Sequence, residues 1–166
     1  MEAALEVVIG ERLRQRGMKL AVAESCTGGL IGHRLTDVPG SSDYYLGSVT
    51  AYAFEAKRRL LGVRADTLRE FGAVSRETAL EMARGVRQAM VDETRPDDVV
   101  GLSVTGIAGP GGGTPEKPVG LVWIGLSTPQ GEWAWQYRWP YDRTGNKAAS
   151  AQQALQLLLD YLDGRL

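Results

Sequence analysis

The stretch "KLAVAESCTGGLIGHRL" (Lys19–Leu35) decides the fold. "KLAVAE" (19–24) is short and apolar, as expected of a buried strand. "SCTGG" then supplies turn glycines, and a helical pattern follows over roughly 29–36. A strand running through a glycine loop into a helix is the unit of an α/β domain. Working outward, residues 2–16 form an amphipathic helix with Leu5, Val8, Ile9 and Leu13 on one face, closed by Gly17. "VPGSSD" (38–43) is turn chemistry, and "YYLGSVTAYA" (44–53) is rich in β-branched and aromatic residues, as strands are.

Alternation continues beyond that point. "FEAKRRLLG" reads as a short helix ending at Gly62, and Ser75 is an N-cap for "RETALEMARGVRQAM". "DDVVGLSVTG" (97–106) is the next strand, and "IAGPGGGTPEKP" (107–118) is a glycine-dense loop. "VGLVWIGLST" (119–128) is apolar on both faces, which predicts a central strand. A turn at Pro129-Gln130-Gly131 leads into "EWAWQYRW" (132–139), and Leu155, Leu158, Leu159 and Leu162 stripe a final helix from about residue 146. The order predicts a single three-layer α/β/α domain over residues 1–166, with a mixed, mostly parallel sheet. Trp133, Trp135, Tyr137 and Trp139 share one strand face. They serve as core under a helix or as a subunit seam.

The chain has 166 residues, a formal charge of −1, 43% hydrophobic and 23% charged residues. That balance excludes wholesale disorder. Lys and Arg are spread along the chain, giving no footprint for nucleic acid or an anionic membrane. Early acids do not make a secretory signal, and no apolar run reaches the ~20 residues that span a bilayer. One cysteine forms no intrachain disulfide, so the cytoplasm is the expected compartment. One Cys and one His also exclude every Cys/His zinc pattern, and the acid spacing proposes no metal.

The same counts narrow the nucleophile. His33 lies seven residues after Cys26, about 10 Å along a helix, too far for a proton hand-off at ~3 Å. A lone cysteine among small residues reads as packing, and His33 reads as surface. Without His33 there is no Ser-His-Asp triad, so a hydrolase on this chain needs another base. Lysine serves if its pKa falls toward 7–8, through burial or nearby cations. Lys57, followed by Arg58 and Arg59, could fold back toward Ser41-Ser42. "ESCTGG" and "TGIAGPGGG" (105–113) are either plain tight turns or cradles for a phosphate or carboxylate. Neither completes a dinucleotide or P-loop pattern, since Thr114 stands where the last glycine belongs.

"AESCTGGLIGHRLTDVPGSSDYY", "AYAFEAKRRLLGV", "GAVSRETALEMA", "VTGIAGPGGGTPEKPVGLVWIGL" and "DRTGNK", in that order, resemble the CinA C-terminal domain family over residues 5 to 162. That family includes stand-alone nicotinamide mononucleotide amidohydrolases of the PncC type. The resemblance implies deamidation of nicotinamide mononucleotide to nicotinate mononucleotide and ammonia by a Ser-Lys dyad and an acyl-enzyme, with no metal or organic cofactor. It implies Ser42 as nucleophile, Lys57 as general base, Tyr52 beside the lysine and Ser25 as a polar pocket residue, and Ser25 is kept as the reserve nucleophile. Thr105, Gly106, Ile107, Ala108 and Gly109 match the substrate loop, and Arg143 matches a phosphate-binding arginine. A homodimer is also implied. Where relatives read Y-S-N-E-A-K this chain has "YAFEAK", and after "DR" the only basic residue nearby is Lys147. Two other readings stay open: a non-catalytic nucleotide- or partner-binding domain, and a hydrolase of a different amide.

Overall fold

The computed structural model describes residues 3–92 and 95–166. Five strands form one sheet: β1 (Lys19–Glu24), β2 (Tyr45–Thr50), β3 (Val99–Gly106), β4 (Leu121–Thr128) and β5 (Gly131–Arg138). Their spatial order is β2-β1-β3-β4-β5. β1 runs parallel to β2 and β3, while β4 is antiparallel to both β3 and β5. Four of the five strands therefore point the same way, and the sheet is mixed as the sequence predicts. β4 is internal, in keeping with its two apolar faces.

The two faces of the sheet differ in side-chain size. Leu20, Val22, Val100, Leu102, Val104, Val122, Ile124 and Leu126 build a core with α1 (Leu5–Arg16), α2 (Leu30–Thr36) and α6 (Arg143–Leu162). The sequence-predicted start of α1 at residue 2 lies outside the described residues. The aromatic face of β5 packs into this core. Trp139 Nε1 donates to Ser150 Oγ at 3.0 Å, and the Trp133 ring lies 6.0 Å from that of Tyr161. Both partners are on α6, so the face packs under that helix, as the core reading expects.

Small residues line the other face: Ala21, Ala23, Gly101, Ser103 and Gly125. α5 (Arg76–Met90) lies directly on them, flanked by α3 (Phe54–Leu61) and α4 (Ala65–Phe71). Ser75 caps α5 by accepting from Thr78 N at 3.1 Å, as its sequence position predicts. The close approach is visible in Ser103 Oγ, which donates to the Ala79 carbonyl at 2.6 Å. A Cβ on Gly101 would stand 2.1 Å from the Ala83 carbonyl oxygen, and one on Gly125 2.5 Å from that of Ala79.

β1 feeds α2 on one face of the sheet, and β2 feeds α3 on the other. The carboxyl ends of β1 and β3 therefore flank a topological switch point, where open α/β sheets bind ligands. Gly101→Ala is expected to destabilise the fold by about 1–3 kcal/mol, because backbone rather than a flexible side chain blocks the new methyl. A urea melt indistinguishable from wild type would show that α5 can lift off the sheet.

Candidate active site

The loop after β1 is held from several sides. Ser25 N donates to the Val104 carbonyl at 3.0 Å, and Gly28 N donates to the Ser25 carbonyl at 3.0 Å. Gly28 and Gly29 turn the chain with φ of 62° and 103°, a region open mainly to glycine. The fully buried Glu24 carboxylate accepts from Ile31 N at 2.9 Å and Gly32 N at 3.1 Å. A strand carboxylate thus satisfies amides that the first turn of α2 leaves without partners. Sequence reasoning passed over Glu24. Its signal was an acid ending an apolar strand one loop before a helix.

β2 ends at Thr50, three residues short of its expected limit, and Ala51–Ala53 turn away from the sheet into α3. That turn presents the Ala51 and Tyr52 carbonyls to Lys57, which is 1% exposed. Lys57 Nζ lies 2.9 Å from Ser25 Oγ, 2.9 Å from Ala51 O and 3.1 Å from Tyr52 O. An ammonium would donate one bond to each of the three. A neutral amine donates to the two carbonyls and turns its lone pair to the serine hydroxyl.

Burial lowers the Lys57 pKa to about 8. Burial is thus the one of the two expected causes at work, since Arg58 and Arg59 are exposed and paired with Glu55. Burial also raises the Cys26 thiol to about 12, so no thiolate stands nearby to hold Lys57 charged.

The expected contact between Ser42 and Lys57 does not exist. Ser42 lies in a 3-10 turn (Ser41–Asp43) just ahead of β2, and the Leu20 amide of β1 bonds Tyr44 O beside it. Because β1 and β2 are parallel, the loop entering β2 and the loop leaving β1 lie at opposite ends of the sheet, about 17 Å of strand apart. The lysine partner is Ser25.

The other expected residues converge on one cleft of about 250 Å³. Ser25, Cys26, Tyr52, Lys57, Thr105 and Arg143 line it, together with Gly106, Ile107, Ala108 and Gly109. The Thr105 hydroxyl is engaged, donating to Ala73 O at 2.7 Å. Arg143 is the first residue of α6, whose N-cap Asp142 accepts from Gly145 N at 2.8 Å. Its Nη1 donates to Gly109 O at 2.6 Å and its Nη2 to the Tyr52 hydroxyl at 3.0 Å, across the cleft mouth. Tyr52 therefore touches the lysine through its carbonyl and the arginine through its phenol.

A second residue that sequence reasoning missed is Asn146, buried behind this wall. It donates from Nδ2 to Ala108 O at 3.0 Å and accepts from Tyr141 N at 3.1 Å. Ala53 and Phe54, which stand out in the "YAFEAK" motif, do not line the cleft. Phe54 instead borders a separate groove with Ala65 and Leu68. His33 is exposed, 3.8 Å from Asp37. Among the described residues no group of three or more His, Cys, Asp or Glu is placed to hold a metal. No helix among them is long and apolar enough to cross a membrane.

A family model described as "CinA C-terminal domain" matches residues 2–162. The chain is 53% identical over 155 residues to a "CinA-like protein" of Salinibacter ruber, covering 93% of this chain and 36% of that protein. It is 50% identical to a "CinA-like protein" of Desulfotalea psychrophila, again over 93% of this chain and 36% of the relative. The chain thus spans little more than a third of the length of these curated relatives. Among solved structures it is similar to the competence/damage inducible protein CihA from Agrobacterium tumefaciens. That match has a TM-score of 0.85 and 38% identity, and covers 98% of both chains. It is also similar to a competence-damaged protein (CinA) superfamily protein from Klebsiella pneumoniae, with a TM-score of 0.88, 30% identity and 96% of both chains covered.

Cys26 is expected to resist iodoacetamide at pH 8, because a thiol raised to about 12 offers almost no thiolate there. Intact-mass kinetics beside a free thiol check this, and labelling at the free-thiol rate would refute the burial argument.

Proposed function

We propose that this chain, which belongs to the CinA C-terminal domain family, is an amidohydrolase that releases ammonia from nicotinamide mononucleotide through a dyad of Ser25 and Lys57. The contact of 2.9 Å between a buried lysine of low pKa and a serine at the floor of a cleft carries this reading. The resemblance of the motifs supplies the substrate, and Arg143 offers a cation suited to its phosphate.

Neutral Lys57 takes the Ser25 proton as Oγ attacks the carboxamide carbon. Ser25 N–H is spent on Val104 O. No other residue's backbone carbonyl accepts from the Cys26 N–H among the described residues, and its neighbour is the cysteine's own thiol. We assign this N–H to the oxyanion, since an amide beside the nucleophile is suited to developing charge there. Lys57 then returns its proton to the leaving nitrogen, and the C–N bond breaks to give ammonia and an acyl-enzyme. A water, deprotonated by the same amine, attacks the ester carbonyl, and the C–Oγ bond breaks as Lys57 returns that proton to Ser25 Oγ, yielding nicotinate mononucleotide. Nucleophile and base both come from side chains, so no step draws on a metal or organic cofactor. The homodimer implied by the resemblance belongs to this proposal too.

Ammonia release from nicotinamide mononucleotide tests the reading. Ser25→Ala and Lys57→Ala are each expected to lower kcat by about 10³-fold or more, a typical scale for losing a nucleophile or its base. Ser42→Ala should retain wild-type turnover, and the reverse pattern would restore Ser42 as nucleophile. A silent wild type that still binds the nucleotide would favour the non-catalytic reading, and release only from other amides would change the substrate.

The pH profile has a definite sign. The base works when neutral, so kcat/KM should rise with pH and level off above about 8. Below that value it should fall about tenfold per pH unit. A rate that is flat between pH 6 and 9 would exclude Lys57 as the base.

A further inference from the structure

The cleft holding Ser25 and Lys57 encloses about 250 Å³. That is less than the roughly 300–1,000 Å³ of pockets that enclose small organic ligands. A second hollow of about 490 Å³ adjoins it, and both share Ala108, Gly109 and Arg143 as a common wall. This wall is fixed from two sides, by Arg143 Nη1 on Gly109 O and by Asn146 Nδ2 on Ala108 O. The compartments differ in chemistry. The first offers a hydroxyl, an amine and a glycine-rich backbone, whereas the second offers Pro110, Val119 and the ring of Tyr141.

Tyr141 is pinned by its backbone and open at its side chain. Its N–H donates to Asn146 Oδ1, while the residue is 57% exposed. The neighbouring Asp142 carboxylate is turned toward Gly145 N and the Thr144 hydroxyl as a helix cap, which leaves the hollow predominantly apolar. An exposed ring beside a guanidinium is suited to a ring that carries an anionic group.

We infer that this second hollow seats a ring of the ligand other than the one bearing the reacting amide, packed on Tyr141, with the ligand's anionic group at Arg143, which both hollows share. The placement of the amide in the first compartment rests on the amidohydrolase reading. The ring on Tyr141 is either the sugar of a mononucleotide or the second nucleoside of a dinucleotide.

The test is calorimetric titration of Ser25→Ala protein, in which bound ligand is not consumed, with nicotinamide mononucleotide and with nicotinamide adenine dinucleotide. Adding Tyr141→Ala is expected to raise Kd roughly threefold to tenfold, the scale of one ring contact, while Tyr141→Phe should bind like the parent. A loss seen already with the mononucleotide identifies the ring as its sugar. A loss confined to the dinucleotide identifies the second nucleoside. Equal Kd for parent and Tyr141→Ala with both ligands overturns the inference, whether or not wild-type protein releases ammonia. Failure of both ligands to bind the parent overturns it together with the reading it rests on. Loss of wild-type ammonia release with the Tyr141 dependence intact overturns the amidohydrolase reading alone.

Discussion

The rest of the site depends on one buried amine. Lys57 Nζ is withdrawn from water and held by a hydroxyl and two carbonyls, with no carboxylate among the described residues bonded to it. A counter-charge would make it an ordinary ion pair, permanently protonated. Three neutral acceptors instead let it exist in either protonation state with its hydrogen bonds satisfied. About a tenth of the molecules carry the neutral form at pH 7, given a pKa of about 8.

The fold builds this environment with few specialised parts. Parallel pairing brings the ends of β1 and β2 level, so Ala51 and Ser25 face the same point in space. The turn out of β2 frees two carbonyls, and one turn of α3 returns Lys57 to them. On the opposite wall, Asp142 starts α6 so that Arg143 falls at its first position, and Asn146 ties that helix to the glycine loop. Glu24 fixes α2, and with it the far side of the serine loop.

Much of this was legible in the sequence. Period and turn chemistry found the five strands and most helices, and the two glycine loops lie at the cleft as expected. α4 (Ala65–Phe71) was missed because seven residues between two glycines carry too little periodicity to stand out. The last helix begins at Arg143 rather than 146, since an aspartate cap gives no apolar signal. The expected contact between Ser42 and Lys57 was the larger miss. The chain direction of β2 relative to β1 decides which serine can reach Lys57, and local sequence does not encode that direction. Glu24 and Asn146 escaped notice for a related reason. Each is a polar residue whose partners are backbone atoms, and backbone atoms leave no pattern in a sequence.

Thermodynamic linkage gives the buried amine a consequence for the whole fold. The unfolded chain holds a proton on Lys57 up to the ordinary lysine value, whereas the folded chain releases it near 8. Between those limits the unfolded state binds more protons, so folding stability gains from this group as pH rises through the window. Below pH 8 the full cost of burying the ammonium is present, about 3 kcal/mol at 1.36 kcal/mol per pKa unit. Replacement of Lys57 by methionine removes that cost, and urea melts of the two proteins at pH 7 and 10 read the difference directly. The native chain is then less stable at neutral pH than its packing alone would allow, and the difference resides in the residue that gives the cleft its chemistry.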